Sequence, residues 1–424
     1  MRTHVLQEPL RLATSTGLAV FLAVAASAAQ PSLFEHARPD WEMPFTTISN
    51  QVMSVMPGES DKAFHDPLLG RNVKWEQDVY CPTFTVLNGK LYCVYRAWGE
   101  DEQWRIGLAW SDDGVNFTRS VEPTFNAKPT DEFLGDLRSY KGHSISYGDS
   151  RMFQGEDGTV YLFFNYFIAG VVNDQELAIA TTKDFKTWQM HGRAFAKGAA
   201  HDRDLVPESL PRRLPHPAIV TRLKGDRLLV AKINGRYWMY VNILATKGPY
   251  TFCLASSADM VDWRLERDAA GNLLHPMAPR PGYFDSRYID TTAAVVRDDG
   301  ILLIYNGINA EASNEGDPRL KPSAHYPAQA LFDGNSPGRL LARAESPFMG
   351  GDVELERLPI VFWPAPLYES WSLVPWKGDY LLYWNNNFGR RAVGLSKSPI
   401  AAAMHPAVAA TDHGGSAMKE RAPD

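Results

Sequence analysis

Five times along this chain a turn pair ending in glycine leads into a strand-like run rich in aromatic or branched residues, and no other feature restricts the fold as much. The copies are Asn88-Gly89-Lys90-Leu91-Tyr92, Asp157-Gly158-Thr159-Val160-Tyr161, Asn234-Gly235-Arg236-Tyr237-Trp238, Asp299-Gly300-Ile301-Leu302-Leu303 and Lys377-Gly378-Asp379-Tyr380-Leu381, spaced by 69, 77, 65 and 78 residues. Asn-Gly and Asp-Gly accept the positive φ angles of a tight type I′ hairpin, and the residues that follow favour strands. A second series runs behind the corners in the same order. Arg105-Ile106-Gly107-Leu108-Ala109 leads into Ser111-Asp112-Asp113-Gly114-Val115-Asn116-Phe117, Glu176-Leu177-Ala178-Ile179-Ala180 into Thr182-Lys183-Asp184-Phe185, and Thr251-Phe252-Cys253-Leu254-Ala255 into Ser257-Ala258-Asp259-Met260. Weaker echoes begin at Arg339 and Arg391. Each period therefore holds at least three strands, and short strands repeating at this length read as blades around an axis. The expected fold is all-β, a five-bladed β-propeller, with Asp112, Asp184 and Asp259 capping outer hairpins.

A chain of 424 residues could hold two or three domains by length alone, but closed all-β folds commonly exceed the usual domain size. Hydrophobic residues at 45% and aromatics at 12% supply several sheet cores and exclude a disordered chain. A formal net charge of −6 without basic blocks argues against nucleic acid as a partner. Arg2 and Arg11 precede an apolar run from Leu12 to Ala29, and Ala26-Ser27-Ala28 has the small-x-small pattern of a signal peptidase site. Residues 1–29 thus read as a signal peptide, predicting a secreted or periplasmic protein with no stable membrane insertion after cleavage. Residues 30–74 form a lead-in segment that wraps the propeller or completes its last blade, 75–400 the propeller, and 401–424 a flexible tail. Cys81, Cys93 and Cys253 are too few and too scattered for a disulfide framework or a Cys-rich zinc site. No metal and no cofactor is expected.

In a propeller the first strand of each blade lines the axial channel, so positions about ten residues before each corner sample one ring of sites. Blade one offers Asp78, blade two Asp149, blade four Asp290 and blade five Glu369, while blade three, set back by an extra hairpin around Gly225, begins at His216. Acids gathered in one mouth repel and raise each other's pKa. Such a cluster suits glycoside cleavage, which needs one carboxylic acid to protonate the leaving oxygen and one carboxylate to activate water. Tyr147, Trp98 and Tyr288, with Tyr80, Tyr368 and Trp371, could supply flat faces for sugar rings. Each acid alone could equally bond backbone amides of a neighbouring turn, and His216 reads as a structural or sugar-binding residue rather than a metal ligand.

At these residues the chain resembles glycoside hydrolase family 130, the β-mannoside phosphorylases and related mannosidases. The likeness runs from about Asp78 to Ser396 and includes Leu91-Tyr92-Cys93-Val94-Tyr95-Arg96-Ala97, Gly282-Tyr283-Phe284-Asp285-Ser286 and Ile301-Leu302-Leu303-Ile304-Tyr305-Asn306-Gly307. The family's Glu-Asp-Pro-Arg motif is matched by Gly148-Asp149-Ser150-Arg151, so the resemblance places the general acid on Asp149. A family Glu in blade four is matched by Asp290, one methylene shorter, and the Glu-Gly of blade five by Glu369-Ser370. Asp290 or Glu369 would then position the attacking water, with Asp78, Arg96, Trp98, Tyr147, Arg151, His216, Tyr288 and Asn306 holding the substrate. His216 stands where family phosphorylases place a Lys, and it is a weaker, pH-dependent cation for phosphate. The resemblance therefore implies an exported, inverting glycoside hydrolase acting on β-mannoside-like oligosaccharides. The alternatives are a phosphorylase using inorganic phosphate and a non-catalytic carbohydrate-binding propeller.

Overall fold

The computed structural model describes residues 39–67, 69–125, 145–168, 176–195, 216–243, 251–311, 315–361 and 363–404. The expected signal peptide and residues 405–424 of the expected tail lie outside them. Among the described residues the regular secondary structure is nearly all strand, with two short helices at Val353–Glu356 and Ile400–Met404.

Strand β1 (Thr46–Met53) and the hairpin β2 (Ala63–Asp66) and β3 (Arg71–Lys74) come first. They are followed by the first antiparallel meander, β4 (Asp78–Leu87), β5 (Lys90–Trp98), β6 (Trp104–Ser111) and β7 (Thr118–Arg119). The second comprises β8 (Ile145–Gln154), β9 (Val160–Ile168), β10 (Glu176–Thr182) and β11 (Gln189–Arg193). In the third, β12 (Ala218–Lys224) is followed by two short insertions, β13 (Arg227–Val230) and β14 (Lys232–Ile233), before β15 (Arg236–Ile243), β16 (Thr251–Ser257) and β17 (Trp263–Leu265). The fourth is β18 (Tyr288–Arg297), β19 (Gly300–Ile308), β20 (His325–Phe332) and β21 (Leu340–Arg343). The fifth has only β22 (Glu369–Trp376), β23 (Asp379–Asn386) and β24 (Ala392–Pro399) from its own stretch, and β1 pairs with β24 to give it a fourth strand. The lead-in segment therefore completes the last sheet.

Successive meanders pack face to face through apolar side chains, giving a β-propeller-like fold. Val94 and Ile106 of the first join Leu162 and Phe164 of the second, and Phe163 and Ile179 of the second join Ile219 and Met239 of the third. One large cluster links the third, fourth and fifth, and another returns from Val374 and Tyr383 of the fifth to Phe84 and Tyr95 of the first. An aromatic pair bridges each junction: Tyr92 with Phe185, Phe163 with Trp263, Tyr240 with Phe332, Tyr326 with Tyr368, and Phe84 with Tyr383. Such pairs add about 0.5–1.5 kcal/mol beyond the area they bury.

The corners differ from expectation in detail. Asn88-Gly89, Asn234-Gly235 and Lys377-Gly378 take positive φ at both residues, as a type I′ turn demands. At Asp157-Gly158 and Asp299-Gly300 only the glycine does. Asp157 instead accepts the Thr159 N–H on its own carboxylate, a local Asx turn. In the outer turns, Asp184 Oδ1 accepts the N–H groups of Lys186 and Thr187, and Asp259 Oδ1 those of Val261 and Asp262. In the first meander the same work falls to Asp113, one residue beyond the predicted Asp112, because Asp113 lies two residues after Ser111 as Asp184 does after Thr182.

Candidate active site

Four of the five first strands break their register near the start, and the breaks help to build the site. The irregularities fall between Tyr80 and Thr83 in β4, Gly148 and Arg151 in β8, Thr291 and Ala293 in β18, and Ser370 and Ser372 in β22. A bulge bends the strand and re-aims a side chain. Cys81 and Asp149, inside two of the breaks, and His216, just before β12, hold φ angles of 53°, 48° and 57°. Positive φ is uncommon for residues with a side chain and marks positions whose surroundings dictate the backbone.

The second strand of each meander carries a polar residue beside these bulges. Its register partners are Arg96 opposite Tyr80, Asn165 opposite Gly148, Asn306 opposite Asp290 and Asn385 opposite Glu369. Asn242 lies two residues past Tyr240, the partner of Ala218. Most reach the next meander. Asn242 donates to Ile289 O and accepts from Thr291 N, Asn306 donates to Ser370 O and accepts from Ser370 N, and Asn385 Oδ1 accepts from Cys81 N. Asn165 is the exception, with neither buried amide atom hydrogen-bonded. The next meander opens with His216-Pro217, and proline offers no N–H to accept.

Asp149, His216, Asp290 and Glu369, from four meanders, come together around Arg151. Arg96 Nη1 donates to Asp149 Oδ1 at 2.9 Å, and His216 Nε2 stands 4.0 Å from Asp149 Oδ2. The other ring nitrogen, His216 Nδ1, is 2.6 Å from Asp290 Oδ1, a close ion pair lying off the direction of a good hydrogen bond. Glu369 Oε2 accepts from Asn385 Nδ2 at 2.9 Å, while Oε1 is 3.6 Å from His325 Nδ1. Arg151 is buried with its guanidinium stacked 3.7 Å from the Trp371 ring centroid, and the charges of Asp290, Glu369 and Asp149 all act on it. Arg151 and Trp371 also line a cavity of about 40 Å³ with Thr83, Gln154 and Thr292.

These contacts separate the carboxyls. Burial pushes Asp149 up, but Arg96, His216 and Arg151 together outweigh it and hold the carboxyl below its usual range. Burial and the Asp290 charge push Glu369 up to about 7. Burial disfavours the His216 cation, yet the charge and contact of Asp290, aided by Asp149, raise its pKa above the ordinary imidazole value. His325 is pushed down to about 4 by burial and is neutral at physiological pH. An acid waiting to protonate a leaving group was expected at Asp149. There the carboxyl's proton affinity is lowered and that of the neighbouring imidazole raised.

Other predicted residues are placed differently. Asp78 pairs with Arg391 and accepts the Trp98 N–H, so it holds a neighbour's charge. Trp98 is half-buried with its ring 5.7 Å from that of Trp104. Tyr288 is buried at the start of β18. Tyr147 offers no sugar platform, because it is wholly buried between the first two meanders against Phe125 and Phe164. Asn306 is likewise no substrate ligand, since Ser370 and Thr292 occupy its amide. Residues not anticipated include His325, Asn385 and Arg391. The recurrence of an aromatic or branched residue before Asn at Phe164-Asn165, Val241-Asn242, Tyr305-Asn306 and Trp384-Asn385 would have found Asn385. No local pattern marks His325.

Two carboxyls of unlike proton affinity beside an imidazole, on a propeller-like scaffold, are the kind of arrangement that a glycoside-active enzyme presents. Residues 61–361 match the family model described as beta-1,4-mannooligosaccharide phosphorylase, and the chain belongs to glycoside hydrolase family 130. It is similar to a 1,2-beta-oligomannan phosphorylase of Thermoanaerobacter sp. (strain X514), 23% identical over 295 residues that cover 67% of this chain and 79% of the relative. Among solved structures it is similar to a glycosyl hydrolase from Bacteroides ovatus, at 28% identity and a TM-score of 0.69, covering 85% of this chain and 95% of that one. A second, also 28% identical with a TM-score of 0.70, covering 85% of this chain and 95% of that one, was described with the finding that the family contains glycoside hydrolases that target β-1,2 mannosidic linkages in Candida mannan.

Proposed function

We propose that this protein hydrolyses β-mannosidic linkages of manno-oligosaccharides. The observation that carries the reading is the convergence of Asp149, Asp290 and Glu369, from three meanders, on Arg151 and His216. Asp149 is half-buried and Glu369 keeps 7% exposure, whereas Asp290 has none and lies against His216, so the first two are the reacting pair and Asp290 positions the imidazole. His216, whose Nε2 faces Asp149, passes its proton to that carboxylate as Asp149 delivers it to the glycosidic oxygen, which leaves the imidazole neutral and Asp149 ionised as before. Ionised Glu369 takes a proton from water as the water oxygen bonds to the anomeric carbon and the old C–O bond breaks, with inversion. Activity then rises as Glu369 ionises near pH 7 and falls as His216 loses its proton at higher pH, a bell whose limbs belong to the coupled cluster.

Water rather than phosphate is the acceptor because the cations of the site, among the described residues, already face carboxylates: Arg96 meets Asp149, His216 meets Asp290, and Arg151 faces three acids. A phosphate dianion would add to that negative charge. The name of the Thermoanaerobacter relative favours a second reading, phosphorolysis through the same pair. Incubating the protein with β-1,2- and β-1,4-linked mannobiose, with and without inorganic phosphate, separates the readings. Free mannose at equal rates in both conditions supports hydrolysis, mannose 1-phosphate formed only with phosphate supports phosphorolysis, and no product in either refutes both. The apolar run before Ala29 supports export, which intact mass of the protein from a periplasmic fraction would check.

A further inference from the structure

Trp363 is among the most exposed large hydrophobic residues described, at 47%, in a molecule that buries most of its aromatics. It lies two residues past the segment matching the family, in the stretch that leads into β22. Its ring centroid is 5.9 Å from that of His325, edge to face at 89°, and His325 Nδ1 is 3.6 Å from Glu369 Oε1. One imidazole therefore separates an open indole from a reacting carboxyl.

The stretch is braced, so the exposure is a fixed feature of the surface. Val361 N donates to Asn387 O, and Gly389 N donates to Pro359 O. The Asn387 side chain donates to the carbonyls of Trp363 and Ala365 and accepts from Leu367 N. Leaving a large indole in water forgoes the gain from burying it. A flat apolar ring on a held backbone beside polar side chains has the form of a sugar-stacking platform, because the C–H face of a pyranose covers such a ring while its hydroxyls reach polar neighbours.

We propose that Trp363 is the platform for a mannosyl unit next to the one being cleaved, with His325 packed between the indole and Glu369. The chain then selects substrates longer than a single glycosyl unit. This rests on the hydrolase reading above. His325 is neutral at working pH and buried, so it packs and spaces, and Trp363 acts on binding rather than on bond cleavage.

The test compares wild type, Trp363→Ala and Trp363→Phe on β-1,2-linked mannobiose, mannotriose and mannotetraose and on p-nitrophenyl β-mannoside, with phosphate present throughout and the oligomeric state followed by sedimentation. Trp363→Ala should raise KM for the di-, tri- and tetrasaccharide about threefold to tenfold with kcat retained, change the aryl mannoside less than any of these, and be largely rescued by Phe. Equal KM values in wild type and Trp363→Ala on every substrate overturn the proposal while leaving the hydrolase reading intact. A change of oligomeric state without a chain-length effect also overturns it, assigning the ring to contact between copies. If wild type turns over none of the substrates, the hydrolase reading fails and this inference with it.

Discussion

Two buried acidic groups in neighbouring parts of the fourth meander look alike in sequence and differ in chemistry. Asp285 is wholly buried and saturated: Arg280 donates two hydrogen bonds to it, Arg343 one and the Tyr305 hydroxyl one. Asp290, five residues on, is equally buried, yet neither oxygen has a well-directed hydrogen bond, and its contact is an imidazole shared with Asp149. Glu369 has one amide donor and a proton affinity raised to about 7. A carboxylate with every lone pair filled stabilises the fold. One left short of donors keeps its charge and its proton in play, which the fold tolerates where chemistry needs it.

The comparison breaks if mutations at the two places behave alike. The largest effect belongs to Asp285→Asn, which leaves two arginines facing a neutral amide. It should lower unfolding stability by about 3–5 kcal/mol in denaturant titration, with per-molecule activity of the folded fraction little changed. Next, Asp149→Asn and Glu369→Gln should each reduce kcat on a manno-oligosaccharide on the order of a hundredfold, about 2.7 kcal/mol, while retaining the native near-ultraviolet dichroism.

Glu369 then gives a sharper contrast through pH. Its folded-state pKa is raised from 4.5 to about 7, so the stability it contributes is fully present below about pH 4.5 and is lost as pH rises through 7. Glu369→Gln should therefore match wild type near pH 4 and exceed it by about 3 kcal/mol at pH 8, at roughly 1.4 kcal/mol per unit. A mutant less stable at pH 8 would show that the carboxylate is structurally satisfied after all. The smallest effect separates neighbours in an outer turn: Asp113→Ala should cost about 1 kcal/mol, and Asp112→Ala should be within about 0.5 kcal/mol of wild type.

The repeat carried most of the architecture because a meander needs its corners and strands at regular intervals, and those signals are local. The same regularity located Asp149, His216, Asp290 and Glu369 near the starts of first strands. What remained hidden is nonlocal. Tyr147 and Trp98 have the same aromatic character, and only packing shows that the first fills a core. Asn306 sits in a strand stretch that resembles the family, yet its amide is consumed by Ser370 across a sheet junction. His325 has no motif, since its role comes from the fifth meander folding beside it. The charge environment of Asp149 was hidden for a similar reason: Arg96 lies 53 residues away in sequence and 2.9 Å away in space.

The central claim, that Asp149 protonates the departing oxygen, is tested most directly by leaving-group dependence. Wild type and Asp149→Asn would be assayed on β-1,2-mannobiose and on 2,4-dinitrophenyl β-mannoside, whose phenolate departs without a proton. The account predicts a loss on the order of a hundredfold on the disaccharide and less than about tenfold on the aryl glycoside. Equal losses on both, or none on either, would contradict it.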